Sequence, residues 1–133
     1  MVAVTPEREV IVNRQYRHGF ERVCLMLPGG LLEPGEDAME AARRELLEET
    51  GYVSEHWQSL GSYVPNSNYR CGEAQFFLAT DARKIAEPND GDLEETENVL
   101  IPYDELVRLS QTGAVPSMSS VAALLLAGLK LNS

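Results

Sequence analysis

Residues 30–52, GLLEPGEDAMEAARRELLEETGY, concentrate negative charge in one short stretch of the chain. The stretch predicts a helix that ends before Gly51, and 3.6 residues per turn place Glu45, Glu48 and Glu49 on one face. Like charges at this spacing destabilise a helix by about 0.2–0.5 kcal/mol per pair. The face is either an ordinary solvated surface, the usual explanation for a glutamate-rich helix, or a site that requires carboxylates.

Two neighbouring features favour a site. An apolar stripe (Met39, Ala42 and Leu46) adjoins the acidic face, so the helix is expected to be wedged into the fold, where unpaired acids are costly. Ala38 and Ala41 continue the acidic face and leave room beside it. Carboxylates paired on one helix face after a glycine-rich loop supply the hard oxygen ligands that Mg²⁺ or Mn²⁺ take.

The composition describes an ordinary globular domain. The 133 residues carry a net charge of −10, and that length is near the commonest size for one domain, here 1–133. The charge argues against nucleic acid or an anionic membrane as partner, but a bound divalent cation would still admit an anionic small molecule. The N-terminus has no signal-peptide pattern, which predicts a cytoplasmic protein whose two cysteines, Cys24 and Cys71, are reduced thiols.

Strands and helices alternate in a mixed α/β pattern. The predicted strands are 2–4, 9–15, 23–27, 59–64, 74–80 and 99–101, and the predicted helices are 34–50, 103–110 and 117–131. We therefore expect a mixed sheet with helices packed on its faces.

The acidic stretch also carries a family pattern. Gly30, five residues, Glu36, seven residues and then residues 44–52, RELLEETGY, resemble the Nudix box, Gly-x5-Glu-x7-Arg-Glu-U-x-Glu-Glu-x-Gly-U, where U is bulky and aliphatic. Every fixed position is met, with the aromatic Tyr52 at the last U position. The resemblance implies an α/β/α sandwich in which the box forms a loop–helix–loop, and an enzyme that hydrolyses diphosphates with two or three Mg²⁺ or Mn²⁺ ions.

The resemblance also implies a role for each matching residue. Glu45 and Glu49 match the principal metal ligands, Glu48 a further ligand or catalytic base, and Arg44 the arginine that braces the acids. Glu36 matches the earlier glutamate, which is structural or belongs to the outer metal shell, and the carbonyl of Gly29 or Gly30 matches a further ligand.

The flanking segments are similar to the branch of ADP-ribose and nucleotide-sugar pyrophosphatases. Residues 15–17 (QYR) precede a turn at 27–30 (LPGG), as a QYR-like strand precedes an LPAG-like turn in that branch. This similarity implies substrate contacts from Gln15 and Arg17. Tyr69 is a further candidate because its loop is long enough to reach a ligand.

A catalytic base is expected from the acidic segment 94–98, which resembles a loop of the same branch. Glu95 is the first candidate and Glu97 the second, with Glu48 on the helix as the competing position. The other interpretation of the segment is a solvated charge run.

Two features depart from that branch. Met26 stands where its members usually have a glutamate, and the sequence starts directly in the catalytic-type region, without the N-terminal sheet that such enzymes exchange across a dimer. We still expect a homodimer, formed through the edge of the first strands and the apolar C-terminal helix.

The expected substrate is a nucleoside diphosphate linked to another moiety, as in ADP-ribose or a nucleotide sugar. The alternatives are a house-cleaning hydrolase of nucleoside triphosphates, a hydrolase of dinucleoside polyphosphates, and a non-catalytic module that senses a nucleotide.

Overall fold

A computed structural model describes residues 1–68, 72–89 and 96–133 of the chain. The elements follow one another as β1 (Val2–Ala3), β2 (Glu9–Arg17), β3 (Arg22–Met26), α1 (Ala38–Thr50), β4 (Tyr52–Val53), β5 (His56–Tyr63), β6 (Ala74–Thr80), β7 (Arg83–Lys84), β8 (Glu97–Pro102), α2 (Tyr103–Ser110) and α3 (Met118–Leu131).

The strands form a mixed arrangement, as the sequence predicts. In one sheet, ordered β1-β6-β5, the pair β1–β6 is parallel and the pair β5–β6 antiparallel. A second, antiparallel sheet has the order β3-β2-β8, and β4 pairs with β7. A bridge between Val4 and Val10 joins the start of the chain to β2. The predicted α/β fold class is confirmed.

Alternation along β2 places apolar side chains on both faces of its sheet. Val10 and Val12 belong to the larger core cluster, which includes residues of α2 and α3, whereas Ile11 belongs to a smaller cluster with Leu46 of α1. The helices therefore lie on opposite faces of the strands, which is the α/β/α layering that the sequence pattern implies. β1 is fully buried in this packing, so the exposed edge expected of the first strands is not found.

Helix α1 has clear start and stop signals. The Asp37 side chain accepts the Glu40 N–H as N-cap, so the helix begins at Ala38 and not at residue 34 as predicted. Gly51 ends it in the left-handed conformation, with φ of 78°, and donates its N–H to the Leu47 carbonyl. Residues 34–37 instead form the turn that leads into the helix.

Two differences in the strands have local causes. β4 and β7 are not predicted from the sequence because two-residue strands are too short to show alternation. β5 begins three residues earlier than predicted, and a β-bulge between Ser59 and Gly61 interrupts the sequence pattern of that strand.

Cys24 is a free, buried thiol, and Cys71 lies outside the described residues. Across residues 1–68, 72–89 and 96–133, every helix is too short or too polar to cross a bilayer.

Candidate active site

The loop after β3 lies directly against the acidic face of α1. The backbone N–H of Gly29 donates to Glu49 Oε2 at 2.9 Å. A Cβ atom placed on Gly30 would lie 2.5 Å from Glu45 Oε1, closer than side chains pack. The absence of a side chain at Gly30 therefore allows the loop backbone to approach both carboxylates.

Arg44 is the centre of the acidic cluster. Its Nε and Nη2 atoms donate to the two carboxylate oxygens of Glu36, at 3.0 and 3.1 Å, in the bidentate geometry that arginine favours. Nη1 donates to Glu48 Oε2 at 3.2 Å, and Nη2 lies 3.2 Å from Glu45 Oε1. One arginine thus orders three of the four carboxylates predicted at this site.

Glu36 links the turn before the helix to Arg44 and supports that arginine. Its Oε1 also accepts the backbone N–H of Glu33 at 3.2 Å, which ties the turn before the helix to Arg44. The Arg44 hydrogen bonds, with a smaller backbone contribution from Glu33, keep the pKa of the Glu36 carboxyl below its ordinary value. The same pairing raises the pKa of Arg44 above its ordinary value, so the arginine remains charged.

The donor set has the chemistry of a divalent-cation site. Glu45 and Glu49 offer hard carboxylate oxygens one helical turn apart, and the Gly29–Gly30 backbone lies against both. One arginine among four glutamates leaves the cluster strongly negative. In the described part of the chain, however, no three Asp, Glu, His or Cys side chains are close enough together to hold an ion by themselves. The carboxylates are arranged around Arg44, so an ion would also need oxygens from the loop backbone or from a ligand.

A cavity of about 400 Å³ opens beside the cluster. Ala38 and Ala41 line it next to Glu45, and Arg17 lines it from the end of β2, so the small residues on the acidic face leave the space that the sequence predicts. Further walls come from Met1, from Ala42 of α1, from residues 26–32 and from residues 73–77 at the start of β6. The N-terminal end of α3 adds Ser117, Ser119, Ser120 and Ala123. Glu73 and these serines cannot be identified from the sequence because only the tertiary fold brings them to the site.

Arg17 and Gln15 lie on the same face of β2 but in different surroundings. Arg17 is exposed at the cavity, whereas Gln15 is 7% exposed and is absent from the described residues that line it. The third predicted substrate contact, Tyr69, lies outside the described residues.

The three candidate bases have different positions. Glu48 is in the cluster, half-exposed and paired with Arg44. Glu97 begins β8 as the cross-strand partner of Arg14, so it lies on the sheet face opposite to Gln15 and Arg17 and is not brought to the cavity. Glu95 lies outside the described residues.

Two asparagines, not identified from the sequence, attach to the last turn of α1. Asn98 Nδ2 donates to the Glu49 carbonyl at 3.1 Å, and the Asn89 N–H donates to the Glu48 carbonyl at 2.8 Å. Helix C-termini leave such carbonyls without intrahelical partners. These bonds therefore fix the end of the helix that carries the acids.

Comparisons with known proteins place the chain among proteins of one family. The family model of the NUDIX domain matches residues 1–125. An ADP-ribose pyrophosphatase of Bacillus subtilis (strain 168) is 28% identical over 116 residues, which are 86% of this chain and 63% of that protein. A CMP-5'-(N-acetyl-N-hydroxy-3-aminopropyl)phosphonate hydrolase of Streptomyces rubellomurinus is 32% identical over 132 residues, which are 97% of this chain and 63% of that protein.

A solved structure described as an ADP compounds hydrolase superposes with a TM-score of 0.84 at 26% identity. The match covers 98% of this chain and 71% of the other. The chain thus spans less than two thirds of the length of either curated relative and most of the length of the solved one.

Proposed function

This chain belongs to the Nudix family, and from that premise we propose that it is a divalent-metal-dependent hydrolase of a nucleoside diphosphate linked to another moiety. ADP-ribose and nucleotide sugars are the substrates of this kind that we favour. The observation that carries the proposal is the position of Glu45 and Glu49 against the Gly29–Gly30 backbone, beside a cavity that Arg17 lines.

In this proposal, Glu45, Glu49 and the Gly30 carbonyl hold Mg²⁺ or Mn²⁺, and Glu48 is an additional ligand or base. Divalent cations at this place would neutralise the oxygens of a diphosphate and lower the pKa of a bound water. Arg44 keeps the carboxylates apart and oriented, and Glu36 holds Arg44 in place from the turn before the helix. Glu36 therefore acts through Arg44 and not as a direct ligand.

The cavity supports a ligand of nucleotide size. Its volume of about 400 Å³ is within the range of small-molecule sites, roughly 300–1,000 Å³. Leu32, Phe76 and Ala123 provide apolar walls, whereas Arg17 provides a guanidinium for an anionic group. We assign Arg17 to a phosphate of the substrate.

The position of Glu97 narrows the choice of base. A base must reach the attacking water within hydrogen-bond distance or through one further water. Glu97 is not among the described residues that line the cavity, and it lies on the sheet face opposite to Arg17. The proposal therefore retains Glu95 as first candidate and Glu48 as its competitor.

The names of the relatives support the substrate class without fixing the nucleobase. The Bacillus subtilis relative is named for ADP-ribose, and the Streptomyces rubellomurinus relative for a CMP-linked phosphonate. Both names describe a nucleoside monophosphate unit joined to a second group.

A substrate panel tests the proposal. Purified protein is incubated with Mg²⁺ or Mn²⁺ and with ADP-ribose, nucleotide sugars, nucleoside triphosphates and dinucleoside polyphosphates, and products are separated by chromatography. We expect AMP and ribose 5-phosphate from ADP-ribose. Preferential release of pyrophosphate from triphosphates would replace the proposal with the house-cleaning alternative. Nucleotide binding without any product would indicate the non-catalytic module.

A further inference from the structure

We propose that Gln15 is a positioning residue, which holds the Arg17 guanidinium toward the cavity and does not contact the substrate itself. This inference rests on the proposed function, because it concerns the arginine that we assign to a substrate phosphate. It changes the role that the sequence pattern implies for Gln15, from substrate contact to support of a neighbour on the same strand.

The side-chain amide of Gln15 has two neighbours, and one orientation satisfies both. In this orientation its nitrogen donates to Thr96 Oγ1 at 2.7 Å, and its oxygen accepts from Arg17 Nε at 2.7 Å and from Arg17 Nη2 at 2.5 Å. Charge-assisted hydrogen bonds of this kind are about twice as strong as neutral ones. Gln15 thus joins Arg17, at the end of β2, to Thr96, next to the first residue of β8.

Gln15 is buried whereas Arg17 is exposed, which indicates different roles for the two side chains. With 7% of its surface exposed, Gln15 has little area to offer a ligand, while Arg17 lines the cavity. The same contacts make Gln15 hard to replace, because a buried amide that loses its partners is left with unsatisfied hydrogen-bonding groups. A side chain with this burial and these partners is suited to ordering the arginine.

The remaining N–H donors of Arg17 explain how this arrangement would favour phosphate binding. A guanidinium has five N–H donors in a planar fork, and the Gln15 oxygen takes the edge formed by Nε and Nη2. The edge formed by Nη1 and Nη2 can then face a ligand and bind two oxygens of a phosphate side by side. Because arginine side chains lose much rotamer freedom on binding, an arginine that is already held should bind the phosphate more tightly.

The test measures kcat and KM for ADP-ribose with Mg²⁺ in four variants. Gln15→Met keeps the length of the side chain and removes both hydrogen-bonding groups. Arg17→Met removes the guanidinium, and the double variant combines the two changes. Arg14→Met is the matched control, because Arg14 is on the same strand and faces the other side of the sheet.

We expect Gln15→Met to raise KM about ten-fold with kcat within two-fold of wild type, and Arg14→Met to leave both unchanged. The KM of the double variant should be no higher than the KM of Arg17→Met, because Gln15 acts through Arg17. An unchanged KM in Gln15→Met would overturn the inference. So would single effects that multiply in the double variant, since they would indicate independent contacts.

Circular dichroism and the melting temperature identify a variant that fails to fold. If Gln15→Met fails to fold, the kinetics of Thr96→Val test the inference instead. This change removes only the hydroxyl that accepts from the Gln15 nitrogen. A raised KM supports the positioning role, and an unchanged KM overturns it. Failure of wild type to bind or hydrolyse any member of the substrate panel is a separate result, which would contradict the proposed function and not the Gln15–Arg17 geometry.

Discussion

Glu49 is the residue whose charge matters most in the proposed chemistry. Its carboxylate accepts the Gly29 N–H at 2.9 Å, and a glutamine oxygen can accept the same bond. Glu49→Gln should therefore keep the fold and lower turnover by several orders of magnitude at saturating Mg²⁺. Without metal, its melting temperature should equal or exceed that of wild type, because like-charge repulsion is relieved. Glu40→Gln, on the same helix and paired with Arg43, is the control. Wild-type turnover in Glu49→Gln would refute the metal-ligand assignment.

The catalytic base is a choice between two residues. If Glu95 takes the proton, Glu95→Gln lowers kcat by about 10²–10⁴ with little change in metal affinity, because a base acts on the transition state. Kinetics and Mn²⁺ binding measured on Glu95→Gln, Glu97→Gln and Glu48→Gln make the comparison. Full kcat in Glu95→Gln together with a large loss in Glu48→Gln would place the base on α1.

The ion pair of Glu36 predicts a pH dependence of stability. The hydrogen bonds from Arg44 lower the folded-state pKa of Glu36 from about 4.5. The pair therefore stabilises the fold above that value, and its contribution is lost as pH falls through the folded-state pKa. Thermal melts between pH 6 and pH 3 should show a smaller decrease in melting temperature for Glu36→Gln than for wild type. An equal decrease in the melting temperature of Glu36→Gln and wild type would contradict this prediction. Glu55→Gln, on an exposed and distant pair with Arg83, should follow wild type.

Sequence spacing identifies the acids well but the supporting residues poorly. Glu45, Glu48 and Glu49 belong to one helix, so their common face follows from the helical period alone. The bond between Gln15 and Thr96 depends on how β2 and β8 pair, and local sequence does not encode that pairing. Glu97 illustrates the same limit, because its sheet face depends on its register with Arg14.

At the scale of elements, the contact between the 27–30 turn and α1 can be tested with two adjacent glycines. In Gly30→Ala the new Cβ meets the Glu45 carboxylate, whereas at Gly29 nothing lies within 4 Å of a Cβ. Since the end of the Glu45 side chain can move, Gly30→Ala should retain the fold. We expect it to raise the Mg²⁺ concentration needed for half-maximal activity by at least about ten-fold, because the displaced carboxylate is a proposed metal ligand.

Gly29→Ala keeps the backbone N–H that bonds Glu49, so its Mg²⁺ dependence should remain within about two-fold of wild type. Equal Mg²⁺ dependence in the two variants would show that the close approach of Gly30 to Glu45 has no part in metal binding.

The longer elements follow from their own signals, and the short ones depend on their neighbours. Helix α1 has Asp37 and Gly51 as caps, and both types of residue are recognisable in sequence. β4 and β7 exist because they pair with each other next to the helix end, where Ile85 N–H bonds to the Gly51 carbonyl at 2.9 Å. Their stability is a property of the packed fold, which explains why periodicity alone does not reveal them.

At the scale of the whole molecule, α3 presents the apolar surface that we propose as the dimer interface. Met118, Leu125 and Leu129, spaced along one helix face, are 82%, 55% and 71% exposed. β1 is buried and is unsuited to the strand-edge contact that the sequence suggests. The face carries no acidic side chain, whereas the chain as a whole has a net charge of −10, so two copies can meet there without charge repulsion.

We expect light scattering to give the mass of a dimer at micromolar concentration. Leu125→Glu combined with Leu129→Glu should shift it to a monomer, because each copy would bring two buried carboxylates into the interface. Ile85→Glu, at a distant position that is 58% exposed, should remain dimeric and controls for the added charge. Both leucines lie outside the core clusters, so the double variant should stay folded. Circular dichroism checks this. A monomeric wild type would overturn the homodimer, and a double variant that stays folded and dimeric would place the interface on another surface.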